Sequence, residues 1–370
     1  MYLKNIQIQN FRNYDKLSIS FEKGINIIYG NNGQGKTNLL ESLYVLGMTK
    51  SHRSYIDNSL IKEGKQFFKI KGNLVIDYIK TKLEINYDSI EKKVKLDNNL
   101  IKKVSNYISK MNIIIFYPDD LSLIKGSPGE RRRFLNSEIS QLSGDYLVIL
   151  NDYNKLLKMR NDYLKNTDID ENYLNVLTDY LIDKAVILYK MRYKFIEKVN
   201  QKIKNIYKNL SNLDNFKVIY KTSFKIDNYQ KDLLRETIRK NFKKNLNKDK
   251  KNKITMIGPH RDDLEFFIGE DNLKNFGSQG QQRMAILSIK LAEIDIINQY
   301  KGSNPILLLD DVFSELDKKK KNNLLAYLTN DIQAIITTTD LTNIAKKIRD
   351  KSKLIEIKNG SINKITEVIK

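Results

Sequence analysis

The run Gly30-Asn31-Asn32-Gly33-Gln34-Gly35-Lys36-Thr37 fits the phosphate-binding pattern G-x-x-x-x-G-K-[ST]. The chemistry is that of a triphosphate cradle. Glycines let the backbone wrap closely around phosphates, and the exposed N–H groups and helix dipole favour the anion. Lys36 is placed to reach the β- and γ-phosphates, and the Thr37 hydroxyl to ligate Mg²⁺. A second acidic constellation lies far along the chain, where Ile306-Leu307-Leu308-Leu309-Asp310-Asp311 reads as an apolar strand ending in two carboxylates. Asp310 suits the Mg²⁺ shell, and Asp311 suits orienting or deprotonating an attacking water. Ser314-Glu315-Leu316-Asp317 follows at a fixed offset and reads as a loop toward a second subunit. A third element, Gly277-Ser278-Gln279-Gly280-Gln281-Gln282-Arg283, runs into the helical pattern of Met284–Ala292. Ser278, Gln279 and Gly280 at that helix N-terminus can offer a hydroxyl and N–H groups to a γ-phosphate. Each segment alone has a plainer reading: a turn, an acidic strand end, a polar helix cap. In this order they make one ATP site.

These residues need particular elements to hold them. Ile25–Tyr29 reads as a short buried strand before the phosphate loop, and Asn38–Leu43 begins a helix that Gly47 can end. From Tyr2 to about Tyr117 the pattern is β-rich: Ile6 and Ile8 alternate with Gln7 and Gln9, and Leu17, Ile19 and Phe21 alternate with serines. Phe68, Ile70 and Leu74, then Leu83, Ile85 and Tyr87, then Val94 and Leu96 continue a meander. Ile113–Phe116 reads as a strand buried on both faces. From Leu121 to about Lys253 the period becomes helical, with Leu147, Leu150, Tyr153, Leu156 and Leu157 on one face and Leu181, Ala185, Leu188, Arg192 and Phe195 on another. The Lys-rich run from Asn241 to Lys253 reads as a basic loop or linker. Strands return at Ile306–Leu309 and Gln333–Thr337, with a closing hairpin around Asn359-Gly360. The expected fold is therefore α/β: a mixed sheet with a phosphate-loop core formed by 1–120 and 254–370, with 121–253 inserted as an α-helical arm.

The chain has 370 residues, long enough for two or three domains. It has no cysteine, which excludes disulfides and thiolate metal sites. Its start lacks a signal-peptide run and no apolar stretch is long enough to span a bilayer, so a soluble, cytoplasmic protein is expected. The formal net charge of +21 suits a polyanionic partner such as nucleic acid. Lys, Asn and Ile are abundant throughout, so biased composition accounts for part of that excess.

The motifs resemble ABC-type ATPases, whose signature is usually written L-S-G-G-Q; here Gly277 stands for the Leu and Gln279 for the first Gly. More closely, the chain resembles the RecF family, bacterial recombination and repair ATPases related to the SMC proteins. The resemblance rests on Asn10-Phe11-Arg12-Asn13-Tyr14, the phosphate loop with Asn38-Leu39-Leu40-Glu41, and Ser51-His52-Arg53. It continues through Phe116–Leu121, Lys125-Gly126-Ser127-Pro128, Arg131-Arg132-Arg133-Phe134-Leu135, Gly258-Pro259-His260-Arg261-Asp262-Asp263-Leu264, Ser278–Arg283 and Leu308–Asp317. It implies an ABC/SMC-type ATPase head with a helical arm and head-to-tail dimerisation on ATP, each signature meeting the other subunit's γ-phosphate. It further implies slow, DNA-stimulated hydrolysis as a timer, and action at junctions of single- and double-stranded DNA in gap repair, promoting RecA loading with RecO and RecR. Arg12 and Arg53 are expected near the nucleotide on the same ground. Arg131, Arg132, Arg133 and the lysines from Lys243 to Lys253 are candidate DNA-phosphate contacts; the three arginines could equally pair with carboxylates of the arm. Asn136 departs from an expected aspartate. Thr339 takes the place of the switch histidine of ABC ATPases, a weaker and uncharged partner. The glutamine loop has no clear counterpart. No heptads persist long enough for an SMC coiled coil, so the arm should be compact. Other readings are a transporter-type ATPase, a nuclease-type SMC relative, and a DNA-binding module without hydrolysis.

Overall fold

The computed structural model describes all residues except 55, 212, 315–319, 322–323, 325–330 and 368–370. Glu315, Leu316 and Asp317 of the expected subunit-contact loop therefore lie outside the described residues. The chain packs as two units, Met1–Asp120 with Leu287–Lys370, and Leu121–Ile286. The stretch 254–286, grouped with the head from its sequence, belongs instead with the arm.

The first unit holds two six-stranded sheets. One is antiparallel, in the order β2-β1-β4-β5-β6-β7, from β1 (Tyr2–Phe11), β2 (Tyr14–Ser20), β4 (Phe68–Ile76), β5 (Ile79–Tyr87), β6 (Lys92–Leu96) and β7 (Asn99–Leu100). Its alternation is the one read from sequence: Ile6, Ile8, Ile70, Leu74, Leu83, Ile85 and Val94 are buried. Asp77-Tyr78 and Asp97-Asn98 close two hairpins with both residues at positive φ, matching the twist of the strands. The second sheet runs β15-β14-β3-β13-β12-β8. Its strands β3 (Ile25–Tyr29), β8 (Ile113–Phe116), β12 (Ile306–Asp310), β13 (Ala334–Thr338) and β14 (Lys353–Lys358) are parallel, and β15 (Ser361–Thr366) folds back antiparallel through Asn359-Gly360. Continuous apolar runs such as ILLLD are what a sheet covered on both faces demands.

Helix α1 (Lys36–Met48) packs beneath the antiparallel sheet, burying Leu39, Leu40, Leu43 and Leu46 in a core shared with both sheets. Gly47 does not end it. Thr49 does, in the left-handed conformation, its N–H bonded to Val45 O. Gly47 instead lets the helix approach β8: a Cβ there would lie 2.5 Å from Ile113 Cδ1 and 3.2 Å from Met111 O. A short α2 (Ser105–Ile108) precedes β8.

The second unit is built on α3 (Ser122–Lys125), α4 (Pro128–Leu142), α5 (Gly144–Tyr163), α6 (Glu171–Ser211) and α7 (Lys231–Asn252). It also contains a three-stranded sheet, β9 (Phe216–Lys221), β10 (Asp263–Ile268) and β11 (Asp271–Asn272), absent from the all-helical expectation. The basic segment 241–253 is likewise not a linker. It completes α7, whose Leu234, Ile238 and Phe242 are buried at helical spacing and whose Asp249 pairs, fully buried, with Arg160 at 2.9 Å. Helix α6 has 41 residues, about 60 Å of length, and packs against α5, α7 and β9. Two more helices follow, α8 (Leu273–Phe276) within this unit and α9 (Gln279–Lys301), whose residues from Leu287 onward belong to the first unit.

Candidate ATP site

The phosphate loop joins the end of β3 to α1. Gly30 and Gly35 have φ of 147° and 111°. Neither tolerates a side chain: a Cβ on Gly30 would sit 2.4 Å from Ile357 O, and one on Gly35 would sit 2.6 Å from Asn13 Nδ2. Two hairpin ends brace the loop. Tyr14 OH donates to Gly35 O at 2.9 Å, and Asn359 N and Gly360 N donate to Gln34 Oε1 and Gln34 O at 2.6 and 3.1 Å. Lys36 Nζ donates to Gly30 O at 2.7 Å and Asn31 O at 2.8 Å, so the loop carbonyls hold the ammonium where phosphate oxygens would take over. Burial lowers its pKa, against the pull of Asp311 and Asp310.

The order of the parallel sheet explains how distant segments meet. Strand β13 lies between β3 and β12, so the ends of all three converge. Thr37 Oγ1 donates to Asp310 Oδ1 at 3.0 Å across a separation of 273 residues. Thr337 Oγ1, from the middle strand, donates to the same oxygen at 2.7 Å and accepts from Asp311 N at 3.0 Å. Burial raises the Asp310 carboxyl, while the hydroxyls of Thr337 and Thr37 and the charge of Arg53 oppose it. Asp311 has φ of 51°, a conformation that non-glycine residues rarely adopt. Its Oδ1 is sealed from solvent without a hydrogen-bond partner among the described residues. A hydroxyl beside a carboxylate forms the hard oxygen set that Mg²⁺ takes, and an orphaned carboxylate oxygen one residue on fits a polarised water. The residues present thus fit a metal-bound triphosphate. Thr339, expected to meet the γ-phosphate, is the first residue past β13 and is half-buried.

Sequence reasoning missed Thr337, whose only signal was a hydroxyl at the end of an apolar strand. It also missed the role of Glu41. This carboxylate is fully buried on α1 and takes a bidentate pair from Arg12, at 2.9 and 2.8 Å, with Ser51 Oγ at 2.6 Å and Arg53 at 3.5 Å. Burial would raise its pKa, but the Arg12 and Ser51 hydrogen bonds hold it below the ordinary range. Arg53 Nη1 also donates to Asn38 Oδ1 at 3.3 Å, which places Arg53 and Arg12 on the first turns of the phosphate-loop helix.

In the second unit, Ser278 caps α9. Its N–H donates to Gln281 Oε1 at 2.8 Å and its Oγ accepts from Gln281 N at 3.2 Å, a capping box. Gln282 Nε2 ties down Leu273 O and Gly277 O at 2.8 and 3.1 Å. Ser278, Gln279 and Gly280 are left exposed on a rigid helix start, with first-turn N–H groups outward. The three arginines divide. Arg131 is buried and gives Asp263 a bidentate pair at 2.6 and 2.9 Å plus a bond to Gly126 O, so it is withdrawn from the DNA contacts. Arg132 donates to Asp262 O at 2.8 Å and is half-buried; Arg133 is exposed. Asn136, the departure from an expected aspartate, accepts from Tyr146 OH at 2.6 Å and Arg192 Nη2 at 2.9 Å.

A family model described as the RecF/RecN/SMC N-terminal domain matches residues 2–363. The chain is 40% identical over 98% of its length to proteins named DNA replication and repair protein RecF from an Exiguobacterium species and from Bacillus cereus, covering 99% and 98% of those chains. Its fold is similar to a solved structure of the recombination mediator protein RecF with ATP in the RecFOR pathway. The TM-score is 0.92 at 32% identity, over 99% of this chain and 98% of that one. An SMC head bound to the C-winged helix domain of ScpA resembles it in fold, with a TM-score of 0.54 at 17% identity over 99% and 97% of the two chains. Among the described residues no helix is long and apolar enough to cross a membrane.

Proposed function

The chain belongs to the RecF family of DNA replication and repair proteins, and from that premise we propose that it is an ATP-driven switch on DNA. The triphosphate is held by the backbone of Gly30, Asn31, Asn32, Gly33, Gln34 and Gly35 with Lys36, and Thr37 and Asp310 hold Mg²⁺ when it is bound. Asp311 positions the attacking water, and Thr339 stands where a switch histidine would, giving slow hydrolysis. Ser278, Gln279 and Gly280 of a second copy close over the γ-phosphate, so two subunits associate head to tail on ATP. The closed dimer holds DNA at single-/double-strand junctions, and hydrolysis releases it. RecR and RecO act with it in loading RecA, and a cytoplasmic location suits that work. Arg132, Arg133 and the exposed lysines of α7 are candidate DNA contacts.

The observation that carries this reading is the 3.0 Å bond between Thr37 and Asp310, which brings the two halves of a nucleotide site together. The test is mass in solution without nucleotide, with ADP and with ATP, repeated with ATP for Lys36→Met and Ser278→Arg. An ATP-dependent dimer lost in both variants supports the composite site. A constant monomer under every condition overturns the switch.

A further inference from the structure

Glu41 carries more positive charge than it needs. Its Oε1 accepts from Arg12 Nη2 at 2.8 Å and Ser51 Oγ at 2.6 Å, and its Oε2 from Arg12 Nε at 2.9 Å and Arg53 Nη1 at 3.5 Å. Those four bonds fill the capacity of a carboxylate. The Arg12 fork alone balances a single negative charge, so Arg53 is a surplus cation. The two arginines are held very differently. Arg12 is also tied through Nη1 to Ser59 O at 2.7 Å, and its backbone N–H to Leu60 O at 2.8 Å. Arg53 makes the longest of the four bonds, its side chain is 43% exposed, and its further tether is Asn38 Oδ1 at 3.3 Å. Asn38 presents that oxygen because its Nδ2 is committed to Asn13 Oδ1 at 2.8 Å.

Asn38 follows Thr37, whose Oγ1 bonds Asp310 Oδ1 at 3.0 Å, so the loosely held guanidinium stands beside the pair that suits Mg²⁺. Asp310 is a buried carboxylate whose side-chain donors, among the described residues, are the hydroxyls of Thr37 and Thr337. Burial raises its carboxyl, and the charge of Arg53 already acts against that rise. A buried anion gains more from an arginine fork than from a hydroxyl. Two carboxylates therefore compete for one guanidinium, and an arginine seated on Asp310 would occupy the oxygens that Mg²⁺ takes. We propose that Glu41 is a positioning residue for ATP hydrolysis: together with Asn38 it holds Arg53 off Asp310 and keeps the metal position open. The proposal rests on the reading of Thr37 and Asp310 as Mg²⁺ ligands and adds what protects them.

The test compares Glu41→Gln, Asn38→Ala and Arg53→Ala with the doubles that combine Arg53→Ala with each of the first two. Glu41→Gln removes the attraction and leaves Arg12 repelling Arg53. Asn38→Ala cuts the other tether and leaves the buried Arg12–Glu41 pair intact, so it keeps the test open if Glu41→Gln fails to fold. Equilibrium affinity for a fluorescent, non-hydrolysable ATP analogue is measured in EDTA and across a Mg²⁺ titration. The readout is the Mg²⁺ concentration that gives half the gain in affinity, which involves no turnover. Glu41→Gln is expected to raise that concentration at least about tenfold, as loss of an outer-shell partner does, and Asn38→Ala to raise it less. With Arg53 absent, neither change should raise it further, because both act through that one side chain. Affinity in EDTA should stay near wild type. A rise that persists without Arg53, or no rise in either single variant, overturns the proposal. Tighter binding in EDTA by the single variants also overturns it, since Arg53 would then have moved onto the nucleotide instead of Asp310. Failure of wild type to gain affinity from Mg²⁺ overturns instead the metal-site reading on which the proposal rests.

Discussion

Thr337 serves two neighbouring residues at once, donating to the Asp310 carboxylate at Oδ1 and accepting from the Asp311 backbone N–H. Replacing it with valine keeps the shape and removes both bonds, leaving a buried carboxylate short of a donor and a buried N–H short of an acceptor. Each such loss costs about 1–3 kcal/mol. The Asp311 backbone, held at φ of 51° partly by that N–H bond, is then free to relax. Thr337→Val is expected to lower kcat for ATP at least about tenfold while changing ATP affinity much less, because Lys36 and the loop amides are untouched. Steady-state phosphate release beside equilibrium nucleotide titration checks the split; equal losses in both would show that Thr337 merely shapes the pocket. His260 gives a residue-scale prediction about pH. Its Nε2 lies 3.0 Å from Thr255 O, a carbonyl that can only accept, so Nε2 carries the proton and Nδ1 accepts from Tyr153 OH at 2.7 Å. Burial holds the imidazole pKa down to about 4, below the ordinary 6.5. A depressed folded pKa contributes stability that is present above pH 6.5 and lost as pH falls toward 4, about 3 kcal/mol in all. His260→Gln keeps a donor for Thr255 O and does not titrate. Urea midpoints of wild type minus variant should therefore decline between pH 7 and 5, and a flat difference would remove His260 from the acid response.

At the scale of elements, what decides packing is close approach, and Gly47 is the clearest case. Helix α1 carries the phosphate loop at its start, so its seating against β8 sets the loop's place over the sheet. Gly47→Ala is expected to destabilise by about 1–3 kcal/mol, since Ile113 is fully enclosed and Met111 O is backbone. Its thermal midpoint should fall; an unchanged midpoint would mean that Ile113 has room to swing aside. From its sequence Gly47 reads as a helix end and not as a contact within the helix, because nothing in the local sequence states what lies across from it. The same limit explains the misreading of 241–253. Lysines crowd the segment, and the periodic Leu234, Ile238 and Phe242 end in Asp249, whose partner Arg160 is 89 residues away. Strand β9 was hidden because its alternating FKVIYK sits between two long helices and pairs with β10 more than forty residues on. By contrast the phosphate loop and the strand ending in Asp310 are contiguous, so their chemistry and their flanking elements could be read directly. Arg131 belongs at this scale too, for it joins α4 to β10 through Asp263. Arg131→Ala is expected to destabilise the arm by about 3 kcal/mol, as removing one partner of a buried pair does, with duplex affinity unchanged. Loss of DNA binding in a variant that remains folded would restore Arg131 to the contact set.

At the scale of the whole molecule, the chain enters the first unit, leaves it after Asp120 and returns at Leu287. The nucleotide motifs on β3, β12 and β13 and at the start of α1 therefore share a core, while the signature residues belong to the other unit. Ligand binding stabilises whatever unfolds only by releasing the ligand. At a hundredfold excess over Kd that is about 2.7 kcal/mol, or a hundredfold in the protection of amides that exchange through such opening. Hydrogen exchange of the Asp311→Asn variant, kept monomeric by Ser278→Arg and saturated with ATP, should show that increase for the slow amides of β3, β12, β13 and α1. Amides of β9, β10 and α6 should remain within a few-fold of their values without nucleotide, because the arm can open without disturbing the triphosphate. A hundredfold rise in both sets would mean that the two units unfold as one, and the insertion would then be a brace for the ATP core instead of an independently opening arm. The same comparison on the Asp311→Asn chain with Ser278 intact reports the second copy. Added protection confined to α8 and the first turn of α9 is what closure of Ser278, Gln279 and Gly280 over a partner's nucleotide predicts.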